Sequence, residues 1–252
     1  MASFNLGSKV ICFQPTRGQV GNSSIVYNIA KLFSAKGKSV LLVDCNLNDP
    51  QLWYYCGLDS NNMKINLVSA VRSGSINSAK AFYATNDKYI KLLSNSPGLP
   101  YTNYEMMDVS MVQNLLSMLR SNFDIVLIDC TPELLHEFTF ASLLVASSLV
   151  FTIGNNPDDI LVLAKMMKFF EVEEINAHII GAIQNNVSYR FFSPEPFQAL
   201  GLPYLGGIPY SARVNQLICG STPKCIVEAG AFGEKTAKLV IQRLHQLFDA
   251  LN

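Results

Sequence analysis

The chain has 252 residues, of which 49% are hydrophobic and only 15% charged, and its formal net charge is zero. That length supports one large α/β domain with a substantial core, and the composition excludes a disordered chain. A neutral chain has no global basic field for nucleic acid, so DNA contact would need a local patch; the low charge points instead to a surface covered by a protein partner.

Cysteines stand at 12, 45, 56, 130, 219 and 225, with no C-x-x-C pair and no matching His spacing, which fits reduced thiols in a cytoplasmic protein. The first residues, Met1 to Gly7, lack the basic stretch and long apolar segment of a signal peptide. The apolar run Leu143–Ile153 is broken by Ser147, Ser148 and Thr152, short of the roughly 18–20 residues a membrane span needs.

The apolar run from Lys9 leads into Gln14-Pro15-Thr16-Arg17-Gly18-Gln19-Val20-Gly21-Asn22-Ser23-Ser24, and the periodic segment Ile25–Phe33 follows. A strand, a glycine-containing loop and a helix opened by two serines is the layout of a phosphate cradle. Unpaired N–H groups at a helix start carry partial positive charge and face the anion. Against the Walker A pattern G-x-x-x-x-G-K-[ST], Thr16 replaces the first Gly, Gly21 matches, Asn22 replaces the Lys, and Ser23 keeps the hydroxyl that holds Mg²⁺. Loss of one charge-assisted contact removes roughly 1.5–3 kcal/mol, or about 10–100-fold in affinity.

The segment Arg17–Ser23 resembles the deviant Walker A motif, K-G-G-x-G-K-[ST], of the MinD/ParA ATPases, with Arg17 at the family's signature Lys. The resemblance implies that Gly18, Gln19, Val20, Gly21, Asn22, Ser23 and Ser24 hold adenine nucleotide, and that Arg17 reaches across a dimer to the partner's phosphates.

Gly37 ends the helix, and Ser39–Asp44 reads as a buried parallel strand that delivers Asp44 to the ligand side of the sheet. Val40–Leu52 resembles the family's L-L-I-D-x-D segment, in which the first Asp, here Asp44, lies near Mg²⁺ and the attacking water; the second Asp is Asn46. Its continuation to Leu58 is similar to the tyrosine kinases of capsule export, although Phe248–Asn252 holds no tyrosine cluster. Residues 59–105 read as a variable insertion carrying partner contacts, with a strand near Tyr89–Leu93. Phe82, Tyr83, Tyr89, Tyr101 and Tyr104 read as local packing, because no interleaved cations make them a base-stacking surface.

Met111–Arg120 has helical spacing, and Phe123–Pro132 resembles the family's Walker B segment, which makes Asp129 a second Mg²⁺ ligand beside Ser23. Helices near Glu137–Ala146 and Pro157–Phe170 alternate with strands Ser148–Ile153 and His178–Asn186, so the chain reads as a doubly wound, mostly parallel sheet with helices on both faces. Gly181–Asn186 resembles the segment whose Asn binds adenine, with Asn185 favoured over Asn186. Leu200–Tyr210 resembles the last strand of MinD-like proteins, which places Pro209 beside the base. The closing segment Thr236–Leu251 is amphipathic, and its few cations argue for packing on the core over a membrane surface. His136, His178 and His245 read as packed or surface imidazoles, and Cys45 and Cys130, each following a strand-end Asp, read as neighbours of low reactivity.

The resemblance spans residues 1–252 as one domain. It implies a regulatory or positioning factor of the MinD/ParA type whose loop has lost both lysines, with ATP or ADP and Mg²⁺ bound weakly or no longer bound. The nearest subgroup is the CpaE/TadZ localisation ATPases of pilus and secretion machinery. A cytoplasmic homodimer with a protein partner at the cell pole is expected, with peripheral attachment to the inner membrane face as a variant. Alternatives are a working ATPase in which Arg17 replaces the loop lysine and, from the same family, a DNA-partitioning protein, which the charge balance disfavours.

Overall fold

The computed structural model describes residues 9–64, 67–68, 71, 82–99, 107–188, 190–218, 225–227 and 235–252. The elements in chain order are β1 (Lys9–Pro15), α1 (Asn22–Ala35), β2 (Val40–Asp44), α2 (Leu52–Tyr55), a 3-10 turn at Ser60–Asn62, β3 (Tyr83–Ala84), β4 (Ile90–Leu93), α3 (Val109–Arg120) and β5 (Ile125–Asp129). They continue as α4 (Glu137–Val145), β6 (Ser148–Ile153), α5 (Asp158–Val172), β7 (His178–Val187), α6 (Glu195–Ala199), β8 (Tyr204–Pro209), α7 (Ala212–Ile218) and α8 (Lys235–Leu251). The strands form one sheet in the order β3-β4-β2-β5-β1-β6-β7-β8. Among the described strands only β3 runs antiparallel, against β4.

The central strands are buried along their whole length because both faces are covered. One layer of core, around Val10, Leu41, Val126, Leu149 and Phe151, packs beneath α3, α4 and α5. The other, around Ile11, Phe13, Leu42, Leu127 and Ile183, packs beneath α1 and α8. α8 buries Val240, Leu244, Leu247, Phe248 and Leu251, and Phe248 meets Phe33 of α1 edge to face at 4.8 Å, so its amphipathic stripe is spent on the core.

β4 pairs in parallel with β2 from Val40↔Ile90 to Val43↔Leu93, so this part of the region expected to be an insertion belongs to the core sheet. Phe82 packs edge to face on Phe123 at 5.5 Å, as local packing requires. Tyr101 and Tyr104 lie outside the described residues. No described helix is long and apolar enough to cross a membrane.

β1 lies mid-sheet between β5, reached through β2, and β6, where the chain crosses to the other half. In a doubly wound sheet this switch point, at the carboxyl ends of the strands, is where loops diverge and leave a crevice. The loop Thr16–Gly21 leaves β1 at that point.

Candidate functional site

A cavity of about 1010 Å³ opens over the carboxyl ends of the strands. Its walls include the loop Arg17–Ser24, Asp44 and Asn46 after β2, Asp129 to Glu133 after β5, Asn185 and Asn186 on β7, and Pro209 at the end of β8. The sheet thus brings together every residue that the sequence nominated for nucleotide, metal or catalysis.

The loop owes its shape to two left-handed residues, Gln19 (φ 63°) and Gly21 (φ 81°). Gly21 is the N-cap of α1 and offers no side-chain cap, so the first N–H groups of the helix remain available to an anion. A Cβ on Gly21 would stand 2.4 Å from Asn185 Nδ2, so glycine is required both by its dihedral and by this close approach. Asn185 Nδ2 donates to Val20 O at 2.8 Å, which ties β7 to the loop. Asn185 is buried, and Asn186 is exposed with φ 54°.

Asn22 stands where the Walker A pattern has its lysine. Its Nδ2 donates to Phe13 O at 3.0 Å and to Asp129 Oδ1 at 2.6 Å, so the side chain turns inward to the sheet. Asn22 Oδ1 is buried without a partner. Arg17 turns to its own chain: its Nε bonds Asp159 Oδ1, and Thr16 Oγ1 donates to the same oxygen at 3.0 Å. The other oxygen of Asp159 accepts from Gly154 N at 3.1 Å and Asn156 N at 3.3 Å. Asp159, fully buried, therefore fastens the loop after β1 to the start of α5. Among the described residues the Nη groups of Arg17 have no hydrogen-bond partner, and its side chain is 39% exposed.

Asp44 and Asp129 face each other in register at the ends of β2 and β5. Asp44 Oδ1 accepts from Asn46 N at 3.0 Å, and Oδ2 from Gln51 N and Leu52 N at 2.8 and 2.9 Å, so this carboxylate also closes the loop that follows it. Burial pushes Asp44 up to about 6 against those three N–H groups. Burial and then the charge of Asp44 push Asp129 up to about 7, while the Ser23 hydroxyl and the Asn22 amide pull it down. Ser23 and Asp129, joined by a side-chain hydrogen bond in the cavity wall, form a pair of hard oxygen donors, which fits Mg²⁺. Among the described residues no group of three or more His, Cys, Asp or Glu forms a metal centre.

Directly behind the carboxylates the Cys45 and Cys130 thiols adjoin each other, and burial raises both well above the usual thiol range, which keeps them inert. Two residues escaped the sequence reading. Asp159 looks like an ordinary acidic residue in a helix first turn, and nothing local in the sequence marks its pairing with Arg17. His136, set aside as a packed imidazole, stands in the cavity wall with its Nδ1 buried and unpartnered, and burial lowers its pKa.

Residues 8–179 match a protein family described as an AAA domain. Among solved structures the chain is similar to the septum site-determining protein MinD of Pyrococcus horikoshii complexed with Mg-ADP, with a TM-score of 0.78, 19% identity, and coverage of 97% of this chain and 96% of that one. It is similar also to a ParA family ATPase from Chlorobium tepidum, with a TM-score of 0.76, 18% identity, and coverage of 96% and 99%. Among curated proteins, the tyrosine-protein kinase YwqD of Bacillus subtilis is 27% identical over 114 residues, which is 45% of this chain and 46% of the kinase. The chain spans about half the length of the curated relatives it matches. The first strand, the glycine-containing loop after it and both strand-end aspartates lie inside the matched segment, and the chain belongs to the AAA domain family, with the MinD/ParA fold of P-loop ATPases.

Proposed function

We propose that this chain is a positioning factor of the MinD/ParA type with a degenerate nucleotide site, acting through a homodimer and a protein partner more than through turnover of ATP. The observation that carries the reading is the fate of the two loop cations. Position 22 holds a neutral amide bonded to Asp129, and Arg17 is bonded to Asp159. The backbone cradle of Gly18, Gly21 and the start of α1 keeps its affinity for phosphate, and Ser23 and Asp129 would hold Mg²⁺, which supplies charge to the phosphates when bound. No loop lysine remains to neutralise charge that develops between the β- and γ-phosphates. Septum-site determination by the similar MinD supports a spatial role, and its Mg-ADP supports adenine nucleotide as the ligand class. A partner in pilus, secretion or other cell-pole machinery is the extension of this reading to the CpaE/TadZ group.

One observation favours a second reading, a working ATPase. The free Nη groups of Arg17 lie in the cavity wall and form a fork that grips phosphate oxygens in pairs. Phosphate release from Mg-ATP separates the two. The positioning reading expects release barely above background, unchanged by Arg17→Ala. Brisk release that collapses in Arg17→Ala establishes the ATPase.

A further inference from the structure

Arg17 is the only Lys or Arg among the described residues that line the cavity, and its Nε bonds Asp159 Oδ1. Among the described residues neither of its Nη groups has a hydrogen-bond partner. Asp159 is 0% exposed and is held on both oxygens, by Thr16 Oγ1 and Arg17 Nε on Oδ1 and by Gly154 N and Asn156 N on Oδ2. The turn from β6 to α5 is closed around it, since a Cβ on Gly154 would stand 3.1 Å from Asp159 Oδ2 and 3.3 Å from Val20 Cγ1. The carboxylate is therefore fixed in place, and through Nε it fixes the plane of the guanidinium. A guanidinium bound at Nε keeps the edge made by its two Nη groups free, and that edge matches a pair of phosphate oxygens. A lysine here would behave differently. It has one nitrogen for both partners, and an unpaired charge out of water is the costlier defect, so its ammonium would turn to Asp159 and leave the cavity.

We propose that Asp159 is a positioning residue that makes position 17 specific for arginine: it holds the guanidinium by Nε and presents both Nη groups as a clamp for a phosphate group at the cavity wall. The long side chain is ordered before the ligand arrives, which is worth about 2–10-fold in affinity against an arginine that must be immobilised on binding. Charge alone would accept either cation at position 17; the buried partner accepts one. The clamp deepens the proposed phosphate site and rests on that reading in one respect, that a phosphate group enters the cavity. It makes no demand on turnover.

Titration calorimetry with ATP and with inorganic tripolyphosphate, each with Mg²⁺, tests the clamp in the parent, Arg17→Lys, Asp159→Asn and the double variant that carries both changes. An asparagine at 159 can keep the turn, with its oxygen towards Gly154 N and Asn156 N and its amide towards Thr16 Oγ1. Arg17→Lys is expected to weaken both ligands about 10-fold although it preserves the charge. Asp159→Asn is expected to weaken them about 2–10-fold by freeing the guanidinium. The double variant is expected to bind tighter than Arg17→Lys, because the ammonium is released from the carboxylate; an Asp159 with a structural role alone would make the double variant the weaker of the two. Arg17→Lys binding as tightly as the parent, or a double variant no tighter than Arg17→Lys, would overturn the clamp. The first of these comparisons changes no buried residue, so it decides even if Asp159→Asn fails to fold. Tripolyphosphate binding that follows the expected pattern, with ATP no tighter, would uphold the clamp and contradict the nucleotide reading. A parent that binds neither ligand would overturn the clamp together with the cradle's affinity for phosphate.

Discussion

At residue scale the site is governed by a few buried polar atoms. Asp159 accepts four hydrogen bonds, from Thr16, Arg17, Gly154 and Asn156, and removal of its carboxylate strands those donors. Asp159→Ala should therefore cost about 3 kcal/mol in urea unfolding, whereas Arg17→Ala, which removes one partner at a partly exposed ion pair, should cost less than about 1 kcal/mol. A pH prediction follows from the facing carboxylates. Asp44 and Asp129 have folded-state pKa values raised to about 6 and about 7, so the native chain retains protons that the unfolded chain has released. Their contribution to stability is full below the ordinary carboxylate value and is lost as pH rises through about 6 and 7. Tm should accordingly fall between about pH 4 and pH 7, and Asp129→Asn should flatten that fall and melt higher than the parent at the alkaline end. The carboxylates themselves were legible in the sequence, because a buried apolar strand ending in Asp announces its place. Their bonds were not, since the N–H donors of Gln51 and Leu52 reach Asp44 only once the loop has closed.

Among the elements, the alternation of apolar runs and 3.6-residue periodicity marked the central strands and most of the longer helices to within a few residues. β6 and the end of β5 are examples. The segment around β4 was harder. Four residues between turn-rich stretches carry little periodic signal, and only pairing with β2 reveals Ile90–Leu93 as core sheet. Likewise the sequence marks Asn185 only by resemblance to an adenine contact, while the structure shows it bonded to Val20 O, a tie between β7 and the loop that no local pattern encodes. This docking makes Gly21 the point of closest approach between the loop and β7. Gly21→Ala imposes a Cβ 2.4 Å from Asn185 Nδ2 on a backbone with φ 81°. It should destabilise by about 1–3 kcal/mol, read as a lower urea midpoint, and Asn185→Ala in the same background should recover part of the loss by removing the collision.

For the whole molecule the question is what the cavity face meets. The loop, the segment after Asp44 and the segment after Asp129 share one face, where Leu135 (77% exposed) and Tyr210 (44% exposed) stand in segments adjoining the cavity rim. In the proposed homodimer this face is the contact, and the Nη groups of Arg17, unbonded among the described residues, would reach a partner's phosphates. Sedimentation should show a dimer, with or without ATP, that Arg17→Glu weakens. A monomer in all four samples would leave a scaffold that works through another protein. The central claim, a site that keeps its cradle and has lost its charge, is tested most directly by isothermal titration of ATP and ADP with Mg²⁺ into the parent protein and Asn22→Lys. The account predicts a Kd in the micromolar-to-millimolar range or weaker for the parent, tightened about 10–100-fold by the lysine; nanomolar binding by the parent, with no gain from Asn22→Lys, would contradict it.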